Sequence, residues 1–283
     1  MSTGILYIVA TPLGNLGDMT PRAVDTLKQV QVIAAEDTRH SLALLRHFGI
    51  VTPCIALHDH NERERSAELI TRLQAGESIA LISDAGTPLI SDPGYHLVRA
   101  AREHGLRVVP VPGPSALIAA LSVSGLPTDR FVFEGFLPAK TAARQQRLEE
   151  LRIDSRTMVF FESGHRIVAS LQDMAQVLGL DRRAVVAREL TKVFETIQDD
   201  TLGGLCGWVQ ADHHQQKGEF VVLVQGVTRA GNAEADAEAE RIVRLLLDEL
   251  PVKQATALAA KITGQKKNFL YSMALKMIDD GIK

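Results

Sequence analysis

Short apolar runs alternate with helical patterns along the first part of the chain, and this alternation constrains the fold more than any other feature. The apolar runs cover residues 5–10, 32–35, 54–57, 79–82 and 108–109. The helical patterns lie between them, at residues 22–29, 41–48, 67–74 and 95–103. Strands that alternate with helices at this spacing predict a parallel sheet with helices on both faces.

Each apolar run is followed by a loop rich in glycine, proline or acidic residues. The densest loop belongs to the stretch LISDAGTPLISDPG at residues 81–94, and the others cover residues 11–21, 35–40, 58–64 and 111–116. In a parallel sheet these loops meet at the carboxyl edge, where open α/β sheets bind ligands. One such loop alone is an ordinary turn, but five together predict a ligand site built from closely approaching backbone.

Several common sites are absent from the sequence. No GxGxxG follows the first run, and neither GxxxxGK[ST] nor GxSxG occurs, so dinucleotide, P-loop and hydrolase chemistry are unsupported. His58 and His60 have no third ligand at metal spacing, and we expect no metal site.

Charge and composition limit the partners. The net charge of −3 gives no global nucleic-acid signal, so any RNA-binding surface must be local. The two cysteines form no disulfide framework. No signal-peptide pattern is visible, and no run approaches the ~20 apolar residues of a membrane span. We therefore expect a cytoplasmic protein that does not enter membranes.

The regular alternation of apolar runs and helical patterns ends near residue 118. Strand candidates cover residues 131–137, 157–163, 184–191, 192–199 and 219–226, and the alternation at 192–199 is typical of an antiparallel strand. The polar, acidic segment 229–240 predicts a linker, and residues 252–264 and 265–278 predict two helices separated by a stop at Gly264. We expect an N-terminal α/β domain at residues 1–118, a second α/β domain with a mixed sheet at 119–228, and a linker plus small helical segment at 229–283.

Motifs in a fixed order indicate a family. They are YIVATPLGNLGDMTPRA, AAEDTRHSLALLRHFGI, LISDAGTPLISDPG, VPGPSALIAALSVSGLP, FEGFLPAK, FFESGHR, ARELTKVFE and KGEFVVLV. In these motifs the chain resembles, over essentially its whole length, the tetrapyrrole-methylase superfamily of S-adenosylmethionine enzymes. EDTR and SDAGTPLISDPG resemble the branch that methylates a cytidine 2′-hydroxyl of 16S rRNA. Gly164 departs from the pattern, since the family usually has proline there.

The resemblance implies a two-domain tetrapyrrole-methylase-like α/β fold, a homodimer, and S-adenosylmethionine in the cleft between the domains. The cofactor contacts that carry over by position are Leu13, Asp84, Ala85, Gly86, Thr87, Ser115, Ala116, Phe161 and Leu190. A sulfonium cation favours carboxylate and carbonyl acceptors, whereas a phosphate site would present N–H groups and lysine. A helix N-cap or Asx turn is the alternative role for Asp84.

A ribose 2′-hydroxyl is a poor nucleophile and gains from a base or from a cation that stabilises the developing charge. The catalytic candidates are Glu36, Asp37 and Arg39 of EDTR and Lys192 of RELTK. Each of them is alternatively a solvated or ion-paired group.

RNA contacts are expected at local basic groups, namely Arg144, Arg147, His165, Arg166, Lys266 and Lys267. Residues 251–283 contain six lysines, with Phe269 and Tyr271 between them as stacking groups. Alternatively, this tail is an amphipathic helical hairpin docked on the body.

Three functions of different classes stay open. The leading one is S-adenosylmethionine-dependent 2′-O-methylation of a cytidine in the decoding region of 16S rRNA, on the assembled small subunit. The second is methylation of a corrin or other tetrapyrrole precursor, against which the basic tail and EDTR argue. The third is a non-catalytic RNA-binding protein that senses S-adenosylmethionine or a nucleotide, which a turnover assay would exclude.

Overall fold

The computed structural model describes residues 3–58, 60–227 and 232–279. Its first sheet contains β1 (Ile5–Val9), β2 (Val32–Ala35), β3 (Cys54–Ala56), β4 (Ile79–Ile82) and β5 (Arg107–Val111). The strand order is β3-β2-β4-β1-β5, and each neighbouring pair is parallel. The predicted parallel sheet is confirmed, and the loops that follow the strands lie at its carboxyl edge.

Four helices connect these strands: α1 (Pro21–Gln29), α2 (Thr38–His47), α3 (Glu62–Gln74) and α4 (Tyr95–Glu103). Both α2 and α3 begin before the apolar pattern does, because their first turns are polar and carry no apolar periodicity. Asp37 caps α2 by accepting a hydrogen bond from the Arg39 N–H at 2.8 Å.

The first sheet is buried on both faces. Every residue of β2 and β4 is buried, as expected for strands covered by helices on both sides. Leu81 packs with Leu69 of α3 on one face, and Ile33 packs with Leu27 of α1 on the other. Burial of such a side chain contributes roughly 1.5–3 kcal/mol, so the sheet is a rigid base for the loops at its edge.

The next helix, α5 (Ala116–Val123), leads to a second sheet. It contains β6 (Phe131–Phe136), β7 (Thr157–Ser163), β8 (Arg183–Arg188), β9 (Thr196–Thr201) and β10 (Glu219–Val224) in the order β6-β7-β10-β8-β9. The pair β6–β7 is parallel and the other pairs are antiparallel, which confirms the mixed sheet. One face packs against α5, and the other packs against α6 (Thr141–Leu151), α7 (Ile167–Leu178) and α8 (Leu202–Ala211).

The predicted strands at 184–191 and 192–199 have different bounds in the structure. Glu189 and Thr191 have positive φ values of 50° and 67°, a left-handed conformation that cannot continue a strand. As a result β8 ends at Arg188 and β9 begins at Thr196, with a loop between them. The predicted antiparallel pairing of β9 is confirmed, with β8 as its partner.

The C-terminal part contains α9 (Asn232–Leu247), α10 (Val252–Thr263) and α11 (Lys267–Asp279), with a small core of their own. The predicted linker is wrong from residue 232 onward, and its residues 229–231 lie outside the described part. Alanine and glutamate are strong helix formers, and the ion pairs Arg241–Glu238 and Arg244–Glu240 join successive turns of α9. The predicted stop at Gly264 is confirmed by its left-handed φ of 69°.

The chain forms two compact units, Met1–Arg152 with Arg156–Gln225 and Ile153–Ser155 with Gly226–Lys283. Both sheets belong to the first unit, and the last three helices belong to the second. The predicted α/β fold class is confirmed, while the predicted domain boundaries at residues 118 and 228 stay predictions.

Candidate functional site

The loop after β4, residues 83–94 and hereafter the β4 loop, is bonded to the loops after the neighbouring strands. The Asp84 carboxylate accepts a hydrogen bond at 3.1 Å from the backbone N–H of Asp37, which follows β2. Gly86 and Thr11, which follows β1, exchange two backbone hydrogen bonds of 2.9 and 3.0 Å. The Asp84 carboxylate therefore joins two loops, and the N-cap position of α4 is taken by Gly94.

A further hydrogen bond reaches a third loop, the one after β5. The Thr87 hydroxyl donates to the carbonyl oxygen of Pro114 at 2.9 Å. Between these bonds Gly86 has φ of +82°, and a Cβ there would lie 3.2 Å from Cδ2 of Leu13. Glycine at this position thus permits both the turn and the close approach of the first loop.

Glu62, the first residue of α3, holds the far end of the β4 loop. Glu62 is buried, with 5% of its surface exposed. Its Oε1 accepts hydrogen bonds from the N–H groups of Gly94, His96 and Leu97 at 3.0, 2.7 and 3.4 Å. A carboxylate in this place satisfies the first N–H groups of α4 and complements the helix dipole.

The β4 loop also contains unusual backbone. Leu89 and Ser91 have positive φ values of 72° and 67°, which are uncommon for residues other than glycine. Such conformations cost free energy and persist where surrounding contacts hold them, often at functional sites.

A cavity of about 310 Å³ lies beside the β4 loop, and it is lined by loops that follow strands of the first sheet, by α5 and by the second sheet. Five of the predicted cofactor residues line it: Leu13, Ala85, Ala116, Phe161 and Leu190. Three others, Asp84, Gly86 and Ser115, directly adjoin lining residues in the chain, and Thr87 is two positions from the lining residue Ala85. The structure thus brings the predicted cofactor set together around one cavity.

The second sheet supplies an aromatic wall. The Phe161 ring contacts the rings of Phe133 and Phe136 edge to face, with centroids 4.8 and 5.8 Å apart. The β4 loop packs against this wall, because a Cβ on Gly135 would lie 3.2 Å from Oγ of Ser91. Apolar and aromatic walls of this kind suit the flat, weakly polar part of a ligand.

The segment after β8 forms one rim of the cavity. Leu190, which lines the cavity, lies between the left-handed residues Glu189 and Thr191. Lys192 Nζ lies 3.0 Å from Glu189 Oε1 and 2.8 Å from Glu219 Oε2. The stem of Lys192 covers Gly14, where a Cβ would lie 2.3 Å from Lys192 Cγ. Lys192 therefore joins this segment to the first loop.

These ion pairs set the protonation of the rim. Burial opposes the charged form of Lys192, but the carboxylates of Glu219 and Glu189 outweigh it and raise the Lys192 pKa. Burial likewise opposes the charged form of Glu189, yet the Glu219 N–H and the Lys192 ammonium hold the Glu189 pKa below its ordinary value. At neutral pH the rim therefore presents a fixed ammonium and not a free base.

The EDTR candidates lie at the end of β2 beside the β4 loop. Arg39 donates from Nη2 to Asp37 Oδ2 at 3.1 Å, and this hydrogen bond lowers the pKa of the Asp37 carboxyl. Glu36 is half-buried between β2 and this pair. A carboxylate with a lowered pKa is a weak general base at neutral pH.

Two predicted RNA contacts are engaged within the protein. Arg144 is 3% exposed and forms a buried ion pair with Asp173 at 2.6 Å, so its prediction as an RNA contact is wrong. Arg147 Nη2 and Nη1 each lie 2.6 Å from a carboxylate, that of Glu134 and that of Glu150. The pattern of a basic helix did not reveal these acidic partners, which lie on other elements or one turn away.

The remaining predicted RNA residues have different surroundings. Arg166 donates to the Leu137 carbonyl oxygen and lies 3.3 Å from Glu162, whereas His165 is exposed. Lys266 and Lys267 are exposed beside the turn at Gly264, in the second unit.

Sequence reasoning missed other residues that line the cavity, namely Ser91, Asp92, Phe136, Glu162, Ser163, Ala187, Glu219, Phe220 and Val221. Most of them belong to the motifs SDAGTPLISDPG, FEGFLPAK, FFESGHR and KGEFVVLV. The motifs thus contained a signal for them, but only tertiary structure shows which members face the cavity.

Gly164, the departure from the family pattern, is accounted for by its neighbours. Its N–H donates to the Gly218 carbonyl oxygen at 3.0 Å, and a Cβ would lie 2.6 Å from the Gln216 carbonyl oxygen. A proline would lose the hydrogen bond and collide with this backbone.

Among the described residues, no group of three or more His, Cys, Asp and Glu side chains could hold a metal ion. Across the same residues, no helix has the length and apolar character needed to cross a membrane.

Comparison with known proteins defines the class. A sequence model of the family Tetrapyrrole (Corrin/Porphyrin) Methylases matches residues 5–206, and a model of the RsmI C-terminal HTH domain matches residues 233–278. The chain belongs to the tetrapyrrole methylase family, and it is a methyltransferase that uses S-adenosylmethionine.

Similarity to curated relatives narrows the assignment of the chain within this family. It is similar to Ribosomal RNA small subunit methyltransferase I of Pseudomonas aeruginosa, with 59% identity over 98% of both chains. It is also similar to the protein of that name from Escherichia coli O157:H7, with 54% identity over 97% of this chain and 96% of the relative. The chain is thus a member of the family these relatives form.

Solved structures share the fold at low identity. Diphthine synthase aligns with a TM-score of 0.60 and 18% identity, over 80% of this chain and 91% of that one. The uroporphyrin-III-C-methyltransferase from Thermus thermophilus aligns with a TM-score of 0.56 and 17% identity, over 78% of this chain and 94% of that one.

Proposed function

We propose that this protein methylates the 2′-oxygen of a cytidine in the decoding region of 16S rRNA, acting on the assembled small subunit as a homodimer in the cytoplasm. The observation that carries the proposal is the 59% identity, over 98% of both chains, to a relative named Ribosomal RNA small subunit methyltransferase I. The choice of a cytidine 2′-oxygen as the target is based on the EDTR and SDAGTPLISDPG motifs, which resemble the branch that methylates this group of 16S rRNA.

The cavity beside the β4 loop fits the cofactor. Leu13, Phe161 and Leu190 line it with apolar surface that suits an adenine ring. The Asp84 carboxylate and the carbonyl groups of the β4 loop suit the cationic part, because a sulfonium favours acceptors. The cofactor contacts predicted from sequence are therefore proposed as its binding site.

The chemistry needs positioning more than acid–base work. S-adenosylmethionine supplies an electrophilic methyl group when bound, and the attacking hydroxyl must approach it in line. The 2′-hydroxyl gives up its proton to water during the attack, and we assign Lys192 to stabilising the negative charge that this leaves on the oxygen, since its raised pKa keeps it protonated. We assign Glu36, Asp37 and Arg39 to positioning the substrate strand, because the lowered Asp37 pKa makes that carboxylate a weak base.

The RNA-binding groups proposed are the exposed His165 of the first unit and the exposed Lys266 and Lys267 of the second. Arg166, which is engaged by Glu162, is proposed to hold its loop in place for His165. A protein with a net charge of −3 has few basic groups to hold flexible RNA, which favours a preformed, shaped substrate such as the assembled subunit.

The test is methyl transfer from labelled S-adenosylmethionine to unmethylated small subunits, followed by mass spectrometry of the nucleosides. The expected product is 2′-O-methylcytidine at one decoding-region position, formed faster on the particle than on a bare RNA hairpin. A base-methylated nucleoside, or methylation of a tetrapyrrole precursor in place of RNA, would refute the proposal. Light scattering at assay concentration tests the homodimer.

A further inference from the structure

Two neighbouring apolar side chains extend into solvent from the segment after β8. Val193 is 93% exposed and Phe194 is 71% exposed. Scattered exposed apolar residues are common, but an adjacent pair on a loop beside an active-site cavity needs a reason.

The backbone around Phe194 is held firmly. The buried Arg188 guanidinium donates from Nη1 to the Phe194 carbonyl oxygen at 3.1 Å and from Nε to that of Lys217 at 2.7 Å. The Glu195 carboxylate accepts from the Thr191 N–H at 2.6 Å. Phe194 is therefore an exposed ring on an ordered backbone, so little conformational entropy is lost when a partner contacts it.

A second cavity, of about 580 Å³, lies beside this ring, and we call it the Phe194 cavity. Phe194, Val193, His214, Gln215 and Lys217 are among the residues that line it. This volume lies within the range of pockets that hold small organic groups. Oε1 of Gln215 is buried and accepts no hydrogen bond from the described residues.

The charges of the Phe194 cavity leave one cation available. Its two carboxylates are engaged, that of Glu189 by Lys192 and that of Glu195 by the Thr191 N–H. The Lys217 side chain is exposed and forms no ion pair with any described residue. An aromatic ring next to an available ammonium is the combination that binds an unstacked base together with its phosphate.

The Phe194 cavity adjoins the cofactor cavity. Glu189 and Gly218 line the former, while their chain neighbours Leu190 and Glu219 line the latter. The ends of β8 and β10 thus separate the two cavities, and one RNA strand can reach both.

We propose that the Phe194 cavity receives an unstacked nucleobase of the RNA substrate, stacked on the Phe194 ring with its phosphate beside Lys217. This inference rests on the proposed function and adds a subsite that selects a single-stranded region next to the methylated ribose.

The test compares Phe194→Ala, Phe194→Trp and a control, Phe131→Ala, in methyl transfer to unmethylated small subunits. Phe131 is also an exposed aromatic residue, 39% exposed, but it lies at the opposite end of β6 from Phe136 of the cofactor cavity. We expect Phe194→Ala to raise KM for the subunit about 10-fold, as loss of one stacked base would. Affinity for S-adenosylmethionine and the melting temperature should not change, and Phe194→Trp should keep the wild-type KM.

Lys217→Ala provides a second measurement. In a plot of the logarithm of the subunit-binding constant against the logarithm of the salt concentration, this substitution should reduce the slope by about 0.7–0.9, the value for one phosphate contact. If the wild-type enzyme is active and Phe194→Ala keeps the wild-type KM, the nucleobase proposal is wrong while the proposed function stands. If Phe194→Ala instead dissociates a wild-type dimer, the exposed pair is an interface between copies and the proposal is again wrong. A wild-type protein that transfers no methyl group to the subunit overturns the proposed function and this inference together.

Discussion

Replacing Glu62 with alanine tests whether the β4 loop is held from its far end. The change removes an acceptor that three N–H groups share, those of Gly94, His96 and Leu97. Glu62 is 5% exposed, so water cannot freely replace the carboxylate. A buried hydrogen bond to a charged group contributes about 1.5–3 kcal/mol, and loss of a helix cap costs about 0.5–2 kcal/mol. The two ranges describe the same contact and are not added, so we expect the free energy of unfolding to fall by about 2–3 kcal/mol.

Glutamine at position 62 separates charge from hydrogen bonding. Its amide oxygen can still accept from the same N–H groups, but the interaction with the α4 dipole is lost, which is worth about 0.3–1 kcal/mol. Glu68→Ala is the matched control on the same helix, because its carboxylate is 47% exposed and pairs with Arg65 at the surface. Such a pair contributes about 0–1 kcal/mol.

Urea unfolding measures these differences, and hydrogen exchange locates them. Stability should decrease in the order wild type, Glu62→Gln, Glu62→Ala, with Glu68→Ala close to wild type. Exchange should accelerate at His96 and Leu97 in Glu62→Ala. Affinity for S-adenosylmethionine should also fall, because the loop supplies Ala85 and Ser91 to the cavity. Equal stability of Glu62→Ala and Glu68→Ala, with those amides still protected, would refute the reasoning.

Four further outcomes are expected. Asp84→Ala should weaken S-adenosylmethionine binding by roughly 1–3 kcal/mol in calorimetry. Asp84→Asn keeps an acceptor for the Asp37 N–H, so its affinity for S-adenosylmethionine should fall less. Unchanged affinity in both variants would exclude a cofactor role for Asp84. The double substitution Lys266→Glu with Lys267→Glu should reduce methylation of small subunits and its salt dependence without changing the melting temperature; wild-type rates across salt concentrations would make the tail structural. Asp173→Ala should destabilise the fold by about 3–5 kcal/mol, because it leaves the buried Arg144 unpaired, whereas the surface control Glu150→Ala should lose less than about 1 kcal/mol in the same denaturation assay. Burial raises the pKa of the Cys54 thiol to about 11, so at pH 8 iodoacetamide should label it about 100-fold more slowly than in denaturant; equal rates by mass spectrometry would show that it is exposed.

Much of the fold and of the cofactor cavity could be predicted from sequence, for a physical reason. Parallel strands buried on both faces must be continuously apolar, so β2 and β4 stand out as short runs. The loops after such strands must share one edge, and this brings Leu13, Ala85 and Ala116 together before any contact is known.

The errors share a physical cause as well. The partner of Arg144 lies on another element, 29 residues away at Asp173. Helical periodicity records which residues face solvent on average, and a charged residue on that face looks the same whether or not it has a buried partner. The segment from residue 232 was mistaken for a linker because acidic and small residues suit both a solvated chain and an exposed helix.

The density of turn-forming residues in LISDAGTPLISDPG follows from what the β4 loop must do. Asp84, Gly86 and Thr87 are bonded to three different neighbouring loops, so the hydrogen-bonding groups of these three residues, which lie within four consecutive positions, point in diverging directions. A regular strand or helix points such groups in repeating directions and could not reach all three loops. Left-handed glycine at position 86 and left-handed residues at 89 and 91 provide the irregular path. Because these bonds form within the protein, the cavity walls are arranged before any ligand enters, and that arrangement is what an in-line methyl transfer requires.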